Sequence, residues 1–202
     1  MAIRLLTAFD ATASREPSWD RACRIQGEMF EATAALGGLD VRLVFYRGFA
    51  ECKASRWMQN AAELHKAMRA VVCVGGETQI ERVLEHAVAE SRKQRVHALV
   101  FVGDAVEENV DRLCRLAGEL ALRGTPVFVF HEGGDPHAGA AFRQIATLSR
   151  GAYLAFDLAS ADRLKALLAA VAVYAAGGYR ALADYSAKQG GEVLRLAAQL
   201  QD

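Results

Sequence analysis

Short apolar runs alternate along this chain with longer stretches in which apolar positions recur every three or four residues. The runs predict strands and the longer stretches predict amphipathic helices. Strands are expected at 3–9, at 40–46 ("DVRLVFY"), at 97–104 ("HALVFVGD"), within 126–134 ("PVFVFHEGG") and at 152–157 ("AYLAFD"). The segment 50–57 ("AECKASRW") alternates weakly and reads as an exposed edge strand. The near-continuous apolar character of 97–104 is that of a strand covered on both faces.

Between these runs lie the expected helices. The first occupies "REPSWDRACRIQGEMFEATAALGG", with Ser18 as its cap, Ala22, Ile25, Met29, Thr33 and Leu36 at helical spacing, and Gly37-Gly38 as its stop. Asn60 to Ala70 predicts a short helix. "VVCVGG" leads into another, "ETQIERVLEHAVAESRKQ", with Ile80, Val83, Leu84, Ala87 and Val88 on one side. "NVDRLCRLAGELALRG", "HAGAAFRQIATLSRG" and "SADRLKALLAAVAVYAA" complete the series. Strand–helix alternation of this kind implies an α/β, Rossmann-like fold. The expected form is a doubly wound, mostly parallel six-stranded sheet with one antiparallel edge strand and helices on both faces. The composition shifts at Gly177-Gly178, so 1–176 is expected to form the main domain and 177–202 a C-terminal helical extension packed on it.

Composition narrows the function. The 202 residues contain 24 Lys+Arg and 24 Asp+Glu, a balance that offers no electrostatic case for nucleic acid or an anionic membrane. Cys23, Cys52, Cys73 and Cys114 form no CxxC pair and read as reduced core thiols. Together with the absence of a signal-like start, they predict a cytoplasmic protein. The apolar run Leu167 to Ala176 is shorter than the ~20 residues a bilayer requires.

Ligands of such sheets bind beyond the C-terminal strand ends. There the first strand runs into "FDATAS", which places Asp10, Thr12 and Ser14 at alternate positions. Alternation by two turns three oxygens toward one point; an ordinary turn and helix cap would use the same residue types. "GGETQI" adds Thr78 on a glycine-rich loop, and Asp104 ends the 97–104 strand. If these segments meet, two carboxylates and three hydroxyls share a crevice. An all-oxygen set suits a hard divalent cation, Mg²⁺ foremost, with Mn²⁺ or Ca²⁺ as substitutes.

"DATAS" resembles the DxSxS-type motif of the von Willebrand factor type A domain. "GGETQI" resembles that family's loop threonine, and "VFVGDA" its "TDG"-type strand end; the likeness covers roughly residues 3–176. It implies a metal-ion-dependent adhesion site. Ser14, Thr12 and Thr78 would be hydroxyl ligands, Asp10 and Asp104 would bind directly or through water, and an Asp or Glu of a protein partner would complete the shell. Thr12 stands where serine is commoner, and Ala13 and Ala105 replace glycines of the pattern, which affects loop geometry more than ligand chemistry.

The resemblance therefore implies a protein-binding module rather than an enzyme, without nucleic acid or membrane as partner and with its oligomeric state open. Two alternatives remain. One is a Mg²⁺-dependent phosphoryl hydrolase using Asp10; phosphatases that begin with a strand-end aspartate follow it with a second acid two positions on, where this chain has Thr12. The other is a structural domain that binds through its C-terminal tail. No GxGxxG follows the first strand, and neither a GxxxxGK[ST] motif nor a nucleophile elbow is present. His131, Glu132 and Asp135 read as a solvated loop, Glu107-Glu108 as a solvated helix approach, and Trp19 and Trp57 as packing anchors.

Overall fold

The computed structural model describes residues 3–13, 39–156 and 161–200. The expected first helix with its Ser18 cap, and the residues Ser14, Trp19 and Cys23, lie outside them.

Six strands form one sheet: β1 (Ile3–Asp10), β2 (Leu39–Arg47), β3 (Glu51–Ala54), β4 (Ala98–Gly103), β5 (Val127–Glu132) and β6 (Ala152–Phe156). Their order is β3-β2-β1-β4-β5-β6. All neighbours pair in parallel except β3, which runs antiparallel to β2 at the edge. The direction of winding reverses between β1 and β4, so a crevice opens beyond their C-terminal ends.

The described helices are α1 (Ala61–Arg69), α2 (Ile80–Lys93), α3 (Val110–Leu122), α4 (Pro136–Leu148), α5 (Ala161–Gln189) and α6 (Gly191–Gln199). Alternation along each strand sorts its side chains between two cores. Leu5, Phe9, Val41, Leu43, Val100, Val102, Phe128 and Phe130 face α1, α5 and α6. Leu6, Ala8, Val44, Tyr46, Leu99, Phe101 and Val129 face α2, α3 and α4. With both faces covered, every residue of β4 and β5 is buried.

Local chemistry sets the boundaries. The side chains of Asn60, Asn109 and Asp135 cap α1, α3 and α4 by accepting from backbone N–H groups of the first turn. The edge strand β3 is shorter than the alternation predicts. Beyond Ala54 the Ser55 N–H still donates to the Leu43 carbonyl at 2.8 Å, but the Ser55 hydroxyl rather than a backbone carbonyl takes the Leu43 N–H, at 3.0 Å, and pairing resumes only as a single bridge between Val41 and Met58. The helix expected from Glu77 begins only at Ile80. Glu77 and Gln79 are instead drawn to the β2–β3 turn, where the Glu77 N–H and the Gln79 side chain donate to Gly48 and Arg47 carbonyls.

Helix α5 runs on beyond the apolar segment and is broken at Gly178, whose backbone (φ 68°, ψ −165°) is not helical. By length and composition its 165–189 stretch could cross a bilayer, yet Leu167, Leu168, Ala170, Val171 and Leu182 lie in the core. Val193, Leu196 and Ala197 of α6 join the same core. The Gln199 amide then accepts from the Tyr153 N–H at 2.8 Å and donates to its carbonyl at 2.9 Å. These two bonds occupy the otherwise open edge of β6 at that residue.

Candidate metal centre

Asp10 is the last residue of β1, and its register partner across the parallel ladder is Tyr46 of β2. The pairing places a phenol beside a carboxylate that is 1% exposed. The Tyr46 hydroxyl donates to Asp10 Oδ2 at 3.0 Å, and the Thr12 backbone N–H donates to Oδ1 at 2.7 Å. The Thr12 hydroxyl also bonds to this carboxylate. Asp10 thus makes the local turn expected of an Asp-x-Thr sequence. It also reaches a partner 36 residues away, which a turn alone does not require.

Asp104 follows β4 directly, on the neighbouring strand end. Asp10 and Asp104 feel each other's charge. Burial pushes the Asp10 carboxyl above its usual value, and the Asp104 charge adds to the rise against the lowering effect of the Thr12 and Tyr46 hydrogen bonds. Tyr46 registers the same convergence: burial raises its phenol well above its ordinary value, and the charges of Asp10, Glu108 and Asp104 raise it further. Asp104 Oδ1 is buried without a hydrogen-bond partner. A buried, unsatisfied carboxylate oxygen costs free energy unless something positive meets it.

Thr78 is 7% exposed and does not cap the helix that follows it; the N-cap of α2 is Gln79, which makes no side-chain cap bond. The Thr78 hydroxyl donates to Glu108 Oε2 at 2.5 Å and accepts from the Glu107 N–H at 3.0 Å. Its own N–H donates to Glu107 Oε2 at 2.7 Å. The second Glu108 oxygen, Oε1, accepts from the Ile80 N–H and from the Glu81 N–H, the latter at 3.3 Å. Glu107 is exposed, as a solvated helix approach would be, whereas Glu108 is half-buried. The pair binds the β4–α3 loop to the start of α2, because four N–H groups at a helix start need acceptors and the α2 cap residue supplies none.

The β5 end also departs from expectation. His131 and Glu132 are buried strand residues rather than a solvated loop, and His131 Nδ1 lies 2.8 Å from the Tyr153 hydroxyl. Cys52, Cys73 and Cys114 are half-buried rather than in the core, and burial pushes the Cys52 thiol up to about 11. Trp57 packs against the α2–α4 core with the Arg42 guanidinium 5.5 Å from its ring centre.

The described part of the centre thus joins Asp10, Thr12 and Asp104 with Thr78 held by the loop after Asp104, while Ser14 lies outside the described residues. Tyr46, Glu107 and Glu108 are the members that reading the chain missed. Among the described residues, no Lys or Arg ion-pairs with Asp10, Asp104, Glu107 or Glu108. No three of His, Cys, Asp and Glu cluster there as metal ligands; the oxygens available to a cation are two carboxylates and hydroxyls. This donor chemistry, with an unpartnered buried oxygen and unneutralised acids, fits a hard divalent cation.

No family model matches the sequence, and no curated protein matches it. Solved structures do. Proximal thread matrix protein 1 of the mussel byssus is 16% identical with a TM-score of 0.68 over 85% of this chain and 48% of its own. This chain therefore spans about half the length of the byssus protein. A further structure of that protein, with a TM-score of 0.66, has a zinc-occupied MIDAS motif. The SpRpn10 VWA domain is 12% identical with a TM-score of 0.64, covering 82% of this chain and 95% of that one. The vWF domain of the pili tip protein Mfa5 from Porphyromonas gingivalis is 11% identical with a TM-score of 0.64, covering 83% and 94%. At these identities the likeness establishes the fold.

Proposed function

We propose, taking the von Willebrand factor A fold as the premise, that this chain is a divalent-cation-dependent protein-binding module. Asp10, Thr12, Ser14, Thr78 and Asp104 would hold the cation, Mg²⁺ by the hardness of the oxygen set, and an Asp or Glu of a partner would close the shell. The observation that carries this reading is the buried Asp104 oxygen without a partner, beside an Asp10 carboxylate that no basic residue among the described ones neutralises. Neutral hydroxyls beside two acids would leave part of the cation's charge unquenched, and an external carboxylate is drawn to that charge. The hydrolase alternative is weaker, since position 12 holds no second acid.

The test follows thermal unfolding of the full chain while Mg²⁺ or Mn²⁺ is titrated in. Binding to the native state alone stabilises by about 2.7 kcal/mol at a hundredfold excess over Kd. The melting temperature should rise with either ion, and Asp10→Ala and Asp104→Ala should remove the rise. A wild-type curve indifferent to both ions would refute the proposal.

A further inference from the structure

Resting on that metal reading, we infer that Glu108 is a positioning residue for the cation, acting through the Thr78 hydroxyl. A threonine hydroxyl has one proton and two lone pairs. Here the proton is committed to Glu108 Oε2 at 2.5 Å, and the Glu107 N–H occupies one lone pair at 3.0 Å. One lone pair is left. With its proton held by a carboxylate, the oxygen cannot turn that proton toward a cation, and its basicity rises. This is the role carboxylates behind ligating groups play in metal sites, where their loss typically costs tenfold to a hundredfold in affinity.

The arrangement is built to stay in place. Glu108 directly precedes Asn109, whose side chain caps α3, so its backbone is anchored by that helix. Its other oxygen holds the Ile80 and Glu81 N–H groups at the start of α2. The Thr78 N–H is in turn fixed by Glu107 at 2.7 Å. The carboxylate thus spans two helix starts and has little freedom to leave the Thr78 hydroxyl. Asp104, Glu107 and Glu108 all belong to the loop after β4, so the group that orients Thr78 is covalently tied to the strand end that supplies the second acid.

A purely structural Glu108, a cap for α2 and nothing more, makes a different prediction, and the test separates the two. Mn²⁺ is titrated calorimetrically into the full-length wild type, Glu108→Gln, Glu108→Asp, Thr78→Val and the Thr78→Val/Glu108→Gln double variant, with each melting temperature recorded in chelator. Glu108→Gln should weaken Mn²⁺ binding about tenfold to a hundredfold. Glu108→Asp keeps the charge but shortens the reach, and should weaken it nearly as much. In the Thr78→Val background, Glu108→Gln should change the Mn²⁺ Kd less than twofold, because no hydroxyl remains to be oriented. If the variants lose melting temperature but keep the wild-type Kd, Glu108 is only a cap and the inference falls. A full tenfold loss persisting in the Thr78→Val background would also overturn it. If wild type itself takes up no Mn²⁺, the metal reading has failed first.

Discussion

Removing the Tyr46 hydroxyl tests the electrostatics of the centre without touching a proposed ligand. In Tyr46→Phe the ring keeps its place in the α2–α4 core and its stacking on Phe101, with centroids 6.5 Å apart. What disappears is one hydrogen bond of 3.0 Å to Asp10 Oδ2, made where both residues are essentially inaccessible to water. A hydrogen bond to a charged acceptor contributes about 1.5–3 kcal/mol. For a chain of this size each kcal/mol moves the melting temperature by about 2–4 °C, so a loss of about 3–12 °C is expected in chelator at neutral pH. The same change in an Asp10→Asn background removes at most a neutral hydrogen bond, about 0.5–1.5 kcal/mol, and should cost correspondingly less. Differential scanning calorimetry of the four proteins gives the comparison directly. Equal losses in both backgrounds, or a Tyr46→Phe melt within a degree of wild type, would show that Asp10 is not held as an anion by Tyr46.

Two further outcomes are expected. A Cβ on Gly76 would sit 2.0 Å from the Gly48 carbonyl oxygen, a backbone atom, whereas one on Gly75 meets only the Ala13 Cβ at 4.0 Å. Gly76→Ala should therefore destabilise by about 1–3 kcal/mol and weaken Mn²⁺ binding by shifting Thr78, while Gly75→Ala melts like wild type. Near the other end of α2, Glu90 is 3% exposed and is held by Arg42 at 2.7 Å and Lys93 at 2.8 Å. Breaking a buried pair costs ~3–5 kcal/mol, and with Lys93 still in place Arg42→Met should cost about 2–3 kcal/mol at neutral pH. Burial pushes the Glu90 carboxyl up, but Lys93 and Arg42 outweigh it and hold the group below the ordinary glutamate value of 4.5. A depressed carboxyl stabilises the fold above its unfolded value, and that contribution is lost as pH falls through the folded one. The gap between wild type and Arg42→Met, read by chemical denaturation, should narrow as pH drops below 4.5, leaving only the part due to the Arg42 contacts with the Ser55 carbonyl and the Trp57 ring; a gap that stays constant would contradict this account.

Period and punctuation suffice for most of the fold because strands buried on both faces and amphipathic helices write their periods into short windows. The chain also shows Asp10 and Asp104 as strand-end acids, since a carboxylate directly after an apolar run stands out against it. Tyr46 does not stand out: an aromatic at the end of a buried strand has the same pattern as core, and its hydroxyl matters only once β1 and β2 pair with Asp10 opposite Tyr46. Glu108 is harder still. Its partners lie 27 to 30 positions earlier, and it meets them only because β4 lies next to β1 and brings the loop after β4 to the start of α2. The sequence around Thr78 shows a hydroxyl on a loop before a helix, but not that this hydroxyl is taken by a distant loop or that the acceptors at the start of α2 come from Glu108. The two roles are exchanged across the crevice: the acid of one loop terminates the helix, which releases the threonine from that task. Whatever holds Glu108 therefore governs both the start of α2 and the direction of the Thr78 oxygen, and neither can be assigned from a window around Thr78 alone.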